Sequence, residues 1–172
     1  MPIIKSKNFI LREYRKGDEK SLIENINDRY IYDMTSRIPH PYKLKDARKF
    51  INKCIKLRRQ KKKTAVYFAI DINGEVIGGI GIDSIEIYKG EIGYWIGRKY
   101  RNKGIATKAV KLMTDFGFKK LRLKRIYAHV LPKNKASDRV LEKNSYEFEG
   151  LLRKHHIKNG KLIDAELYAK IK

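Results

Sequence analysis

Between residues 90 and 121 the chain changes its hydrophobic period once, and that change limits the folds open to it. Residues 90–97 (GEIGYWIG) read as a strand, with side chains alternating at a period of two. The loop Arg98-Lys99-Tyr100-Arg101-Asn102-Lys103-Gly104-Ile105-Ala106-Thr107 follows and runs straight into a helix that ends near Leu121. That helix carries Ala106, Ala109, Val110, Met113, Phe116 and Gly117 on one face. A strand that feeds an amphipathic helix through a glycine loop belongs to a sheet with helices packed on it.

The flanking patterns extend this picture. Residues 8–14 (NFILREY) predict a short strand, and Gly17-Asp18 opens a helix over about 18–27. Residues 31–42, with Pro39 and Pro41, read as a loop. Residues 44–59 form a clearer helix with one basic face, and Cys54 lies on its apolar stripe as a buried structural thiol. Strands at 65–72 and 75–82 flank Asn73-Gly74, a strong hairpin signal, and residues 85–88 extend the second strand after a kink. The centre is therefore an antiparallel meander. After a strand at 125–131, Asn134 caps a short helix with Ala136, Val140 and Leu141. Strands at 146–152 and about 165–171 flank an Asn159-Gly160 turn. The expected fold is α+β, a mixed and mostly antiparallel sheet with helices on its faces, in a single domain spanning 1–172.

Composition sets outer bounds. Apolar residues make up 42% and aromatics 10%, too many for a disordered chain. One cysteine excludes an internal disulfide or a Cys-rich zinc site. No apolar run approaches the roughly 18 residues of a membrane span. The opening Met1-Pro2-Ile3-Ile4-Lys5 lacks a signal peptide's apolar stretch, so a cytoplasmic protein with no membrane contact is expected. Forty-one Lys and Arg against 19 Asp and Glu give +22. Such a surface attracts phosphates, acidic substrates, RNA or ribosomes. A lysine-rich composition set by genome or growth temperature explains the charge equally well, and charge alone names no partner.

The loop Arg101-x-x-Gly104-x-Ala106 is the most informative motif. Small residues let a ligand approach the backbone, and the following helix offers unpaired amides and the positive end of its dipole. This is an anion site suited to a pyrophosphate, with Arg98, Lys99, Arg101 and Lys103 adding charge. It is neither a Walker A loop nor a GxGxxG fingerprint.

The pattern resembles the GNAT superfamily of acetyl-CoA-dependent N-acetyltransferases, whose pyrophosphate loop reads [QR]-x-x-G-x-[GA]. It is most similar to the branch that acetylates the N-termini of ribosomal proteins. Glu91-Ile92-Gly93-Tyr94-Trp95, Pro132-Lys133-Asn134-Lys135-Ala136-Ser137, Val140-Leu141-Glu142-Lys143 and Glu149-Gly150-Leu151-Leu152-Arg153 match that branch in order, as do Leu11-Arg12 and Asp164. Two departures stand out. Lys108 occupies a place often held by glutamate, and Asn144-Ser145-Tyr146 replaces a leucine-glycine-phenylalanine.

The resemblance implies a GNAT-like sheet whose strands splay at an acetyl-CoA site, near a bulge in the strand that carries Gly93. It places the cofactor on Trp95, Ile96, Gly97, Arg101, Asn102, Lys103, Gly104, Ile105, Ala106, Thr107 and Asn134. A backbone N–H within residues 93–96 would receive the thioester oxygen, which contributes roughly 3 kcal/mol. Many members protonate the departing thiolate with a tyrosine in the helix after the asparagine. Leu141 stands there, and the resemblance to the ribosomal branch implies Ser137 as the substitute. Two groups compete as the base that takes the amine proton, His129 directly and Glu91 through a water. An α-amine, with a pKa of about 7.7–8.0, needs less help than a lysine near 10.4.

His155-His156 suggests a metal pair. Adjacent strand residues point to opposite faces, so no metal is expected. Residues 43–63 hold eleven Lys or Arg and one acid, and the resemblance implies that this part of the chain walls the acceptor side. They disfavour polyamines and suit a protein acceptor or docking on ribosomal RNA. Acetylation of a protein's N-terminal amine or a lysine is thus the first reading, by a monomer or homodimer. A small-molecule amine acetyltransferase and a non-catalytic basic module that binds RNA or ribosomes are the alternatives.

Overall fold

The structure is a computed structural model, and it describes residues 3–172; Met1 and Pro2, where the N-terminal reading begins, lie outside the described residues. A short strand β1 (Ile4–Lys5) precedes β2 (Ile10–Glu13). Helix α1 (Glu19–Ile26) follows, and then α2 (Arg29–Met34), within the segment expected to start a loop. Six residues rich in tyrosine give almost no periodicity to read. What holds α2 is a cap and a tertiary clamp: Asp28 accepts the Tyr30 N–H at 2.6 Å, and Lys158 Nζ donates to the carbonyls of Tyr32, Asp33 and Thr35 at its far end.

Helix α3 (Leu44–Arg59) matches its expected bounds. Its buried Ala47, Ile51 and Cys54 face inward, and burial pushes the Cys54 thiol up to about 12, so it stays protonated and inert. Strands β3 (Val66–Ile72) and β4 (Glu75–Asp83) form the predicted hairpin, with Asn73 and Gly74 at φ 52° and 89°. Residues 85–88 do not extend β4. Ser84 turns out of the sheet at φ 49°, and Ile87 is 94% exposed. Strand β5 (Lys89–Ile96), a single 3-10 turn and α4 (Ile105–Lys119) form the strand–loop–helix unit. Then come β6 (Arg125–Val130), α5 (Lys135–Glu142), β7 (Glu147–Lys158) and β8 (Lys161–Ile171). The last hairpin is longer than expected, because its distal half mixes charged residues with the exposed Ile157 and Leu162 and shows no sustained hydrophobic alternation. Its Asn159-Gly160 turn is as predicted.

The eight strands form one sheet in the order β1-β2-β3-β4-β5-β6-β8-β7. Every neighbour is antiparallel except β5 and β6, which α4 connects as a crossover. One face of the sheet buries Ile80, Ile82, Ile92 and Ile126 under Met113 and Phe116 of α4. The other buries Ala69 and Val76 under α1 and α3, through Leu22, Ile26, Ile51 and Cys54. Buried Arg12 joins β2 to the start of α1 and to β3, through Asp18 at 2.8 Å and Asp71 at 2.7 Å.

The departing segment 144–146 is also accounted for. Asn144 donates to the carbonyls of Thr107 and Val140, tying α5 to α4. Ser145 adopts the left-handed φ of 58° in glycine's place, and the Tyr146 hydroxyl lies 2.7 Å from Thr114 Oγ1.

Candidate active site

Strands β5 and β6 pair only from Lys89–Arg125 to Glu91–Tyr127, although β5 runs on to Ile96 and β6 to Val130. Beyond Glu91 they separate. The register of β5 on β4 is unbroken from Gly78–Ile96 to Asp83–Glu91, so the expected bulge is absent from β5. Instead β6 stays paired with β8 along its whole length and leaves β5 with it. The Gly97 N–H bonds the Ile77 carbonyl, which fixes the phase of β5: Trp95 and Gly93 turn their amides to β4, and Ile96 and Tyr94 turn theirs to the gap. Two strand amides therefore face an opening beside the loop.

That opening continues into a cavity of about 640 Å³ between α2, β5, the 98–107 loop and α5. Every cofactor-side residue expected from the sequence lines it except Gly97 and Lys103. Gly97 packs on α1 instead, where an added Cβ would come 2.6 Å from Asn25 Oδ1. Gly104 caps α4 at φ 71°, and a Cβ there would meet nothing within 4 Å. Its requirement is thus conformational, and the space above it is open to a ligand. The first bond of α4 runs from Lys108 N–H to Gly104 O, so the amides of Ile105, Ala106 and Thr107 stand outside the helix's own ladder. This cradle fits a pyrophosphate.

Arg101 lines the cavity as expected, but its charge is already engaged. Its guanidinium is 2.9 Å from Asp28 Oδ2, donates to the Ile96 carbonyl at 3.2 Å and lies 4.5 Å from the Tyr30 ring centroid. It fastens the loop to the cap of α2, and Asp28 offsets its charge.

On the α4 side of β5, Tyr94 OH lies 2.7 Å from Ser137 Oγ and 3.3 Å from the Ser137 carbonyl. Sequence reasoning missed Tyr94. The signal was a lone hydroxyl on the core-facing positions Ile92, Tyr94 and Ile96 of a strand. Burial raises the phenol well above 10 despite the bond to Ser137, so it remains a donor at neutral pH. Asn134 caps α5, accepting the Ser137 N–H at 3.2 Å, and its amide donates to Met34 O of α2 at 3.2 Å.

On the opposite face Glu91 and His129 meet, with Glu91 Oε1 3.1 Å from His129 Nδ1. Neither lines the cavity itself; they stand where β5 and β6 part. Burial opposes the charge on Glu91, yet His129 and Arg37 outweigh it and hold the carboxyl below its ordinary value. Arg37 bonds Glu91 at 2.9 Å and Asp83 at 3.0 Å. Trp95 shares this face, packed over Gly79, where an added Cβ would be 2.5 Å from its Nε1.

The expectation that His155 and His156 point apart does not hold. Between the pairs Leu152–Ala165 and His156–Ile163, β7 advances four residues while β8 advances two. This bulge brings the two rings to 4.7 Å and sets His155 4.3 Å from His129, centroid to centroid.

An Acetyltransferase (GNAT) domain model matches residues 8–147. The chain belongs to the GNAT acetyltransferase family. It is 42% identical over 100 residues to the uncharacterized N-acetyltransferase p20 of Bacillus licheniformis, covering 57% of this chain and 56% of that protein. The chain spans about half the length of p20 and of two further curated Bacillus subtilis N-acetyltransferases it matches, 56%, 43% and 56%. Against YnaD, an uncharacterized N-acetyltransferase of Bacillus subtilis, identity is 30% over 173 residues, covering 96% and 95%. The ribosomal-protein-S5-alanine acetyltransferase of Vibrio fischeri superposes with a TM-score of 0.87 at 23% identity, covering 99% of this chain and 97% of that one. At that identity the likeness speaks for the GNAT fold alone. No described helix is long and apolar enough to cross a membrane.

Proposed function

We propose that the protein is an acetyl-CoA-dependent N-acetyltransferase acting on the N-terminal α-amine of a protein or peptide. The observation that carries this reading is the parting of β5 from β6, with a pyrophosphate cradle on one side and a histidine–carboxylate pair on the other. Acetyl-CoA supplies an acyl group activated as a thioester. The amides of residues 105–107 hold the phosphates, and the Tyr94 and Ile96 amides face the gap, where they stabilise charge developing on the acyl oxygen.

The amine enters from the Glu91 face. With its Nδ1 proton donated to Glu91, His129 presents the Nε2 lone pair to the attacking amine and takes its proton. Glu91, held as a carboxylate by Arg37, orients the ring rather than serving as the base. Tyr94, bonded to Ser137, gives a proton to the departing thiolate on the other face, and solvent afterwards takes the proton from His129 and restores the one lost by Tyr94. Attack and departure then use separate groups on opposite sides of one strand.

A protein acceptor is supported by the basic residues 43–63 and by the printed function of the Vibrio fischeri neighbour. A peptide panel with labelled acetyl-CoA tests it, comparing free with blocked N-termini and acidic with basic sequences. Label on free α-amines, with acidic peptides preferred, is the expected result. Label on small amines alone would overturn the acceptor assignment.

A further inference from the structure

One ring nitrogen from each of His129, His155 and His156 lies within 4.8 Å of the other two, although the residues come from two strands and the sequence sets the last two on opposite faces. We propose that these three histidines form a site for a divalent transition-metal ion such as Zn²⁺, and that the ion acts as an inhibitor by occupying the nitrogen that would take the amine proton. The second half rests on the reading of His129 given above.

Three features argue for the site. The donor set is right, since imidazole suits Zn²⁺ and its neighbours and a three-histidine site leaves one position open. Zn–N bonds of about 2.05 Å put tetrahedral nitrogens roughly 3.3 Å apart. The approach needed from 4.8 Å is within the reach of a rotamer change at His155, whose side chain is exposed. Second, His129 is already oriented as a ligand: its Nδ1 is 3.1 Å from Glu91, the carboxylate–histidine arrangement that fixes the tautomer and turns Nε2 outward. Third, the surroundings tolerate a cation in a chain of +22 overall. The carboxylates of Asp83 and Glu91 outweigh the single Arg37 between them.

The bulge that assembles the cluster is itself held in place. Lys154 takes the left-handed φ of 52°, an uncommon place for a residue with a Cβ, and Asp164 Oδ1 accepts its N–H at 2.7 Å. Without the two extra residues His155 and His156 would straddle the sheet.

Titration of the tag-free protein with Co²⁺, followed by its visible absorption, tests the site directly. The expected result is one ion per chain with the intense bands of four-coordinate cobalt, displaced by Zn²⁺. Binding should weaken at least tenfold in both His155→Ala and His156→Ala. No binding by the wild type, or binding undiminished in both variants, would overturn the proposal. Turnover is read separately, each protein against its own metal-free rate. Zn²⁺ should slow the wild type at the concentration that fills the site, and His155→Ala should need at least tenfold more. An ion that binds as described without slowing turnover would retire His129 as the base and leave the site standing.

Discussion

On the α4 side of β5, the stretch from Tyr94 to Thr107 supplies about half of the cavity wall, and α2 and α5 close it with residues such as Tyr30, Asn134 and Ser137. On the other side, Arg37, Glu91, His129 and His155 belong to four separate stretches. The first side works through backbone: helix amides, the left-handed Gly104 and the strand amides turned into the gap. The second works through side chains held by one another. A cofactor shared across a family can be bound by backbone geometry written into one short motif. An acceptor side assembled from long-range contacts can change one residue at a time.

This contrast can be broken in graded ways. Ala106→Glu is the harshest test of the cofactor side. A carboxylate in the first turn favours the helix, so folding should survive, but it opposes the phosphates. Acetyl-CoA affinity should fall on the order of 100-fold, since like charges about 4 Å apart repel by several kcal/mol near a surface. Calorimetric titration measures it, and an unchanged Kd would move the phosphates elsewhere. On the acceptor side, His129→Ala should lower kcat/KM about 100-fold, the lower end for a lost general base. Its acetyl-CoA Kd should stay within about twofold of the wild type, a value that amounts to under 0.5 kcal/mol.

Smaller effects sharpen the comparison. Tyr94→Phe should slow turnover about tenfold, because a thiolate leaves readily and general acid help counts for less than the usual range. Ser137→Ala should cost less than Tyr94→Phe, because Tyr94 is assigned the proton and Ser137 only supports it. The gentlest test is stability against pH. Glu91 has a folded pKa below its free value of 4.5, so its contribution is complete above 4.5 and is lost as pH falls through the depressed value. Urea midpoints of wild type and Glu91→Gln should therefore differ at pH 6 and draw together as the pH falls below 4.5.

The same contrast explains what the sequence could tell. The strand–loop–helix unit was legible because period, glycine and helix start are local signals, as was the Asn73-Gly74 hairpin. Helix α2 was not, because Lys158, more than 120 residues away, clamps its end. The histidine cluster was hidden by a bulge that no alternation rule anticipates. Tyr94 was not legible because the resemblance points to the helix at Leu141 for a hydroxyl. The hydroxyl comes from the neighbouring strand instead, at 2.7 Å from Ser137. Arg101 was found by motif, but its partner Asp28 lies 73 residues earlier and turns its side chain to a structural use.

Amide hydrogen exchange by NMR, with and without acetyl-CoA, addresses the division of β5 most directly and needs no acceptor. Protection should rise at Ile105, Ala106 and Thr107 and at Tyr94 and Ile96, while His155 and His156 exchange as before. Protection centred on β7 with none at Tyr94, Ile96 or the α4 amides would contradict the account.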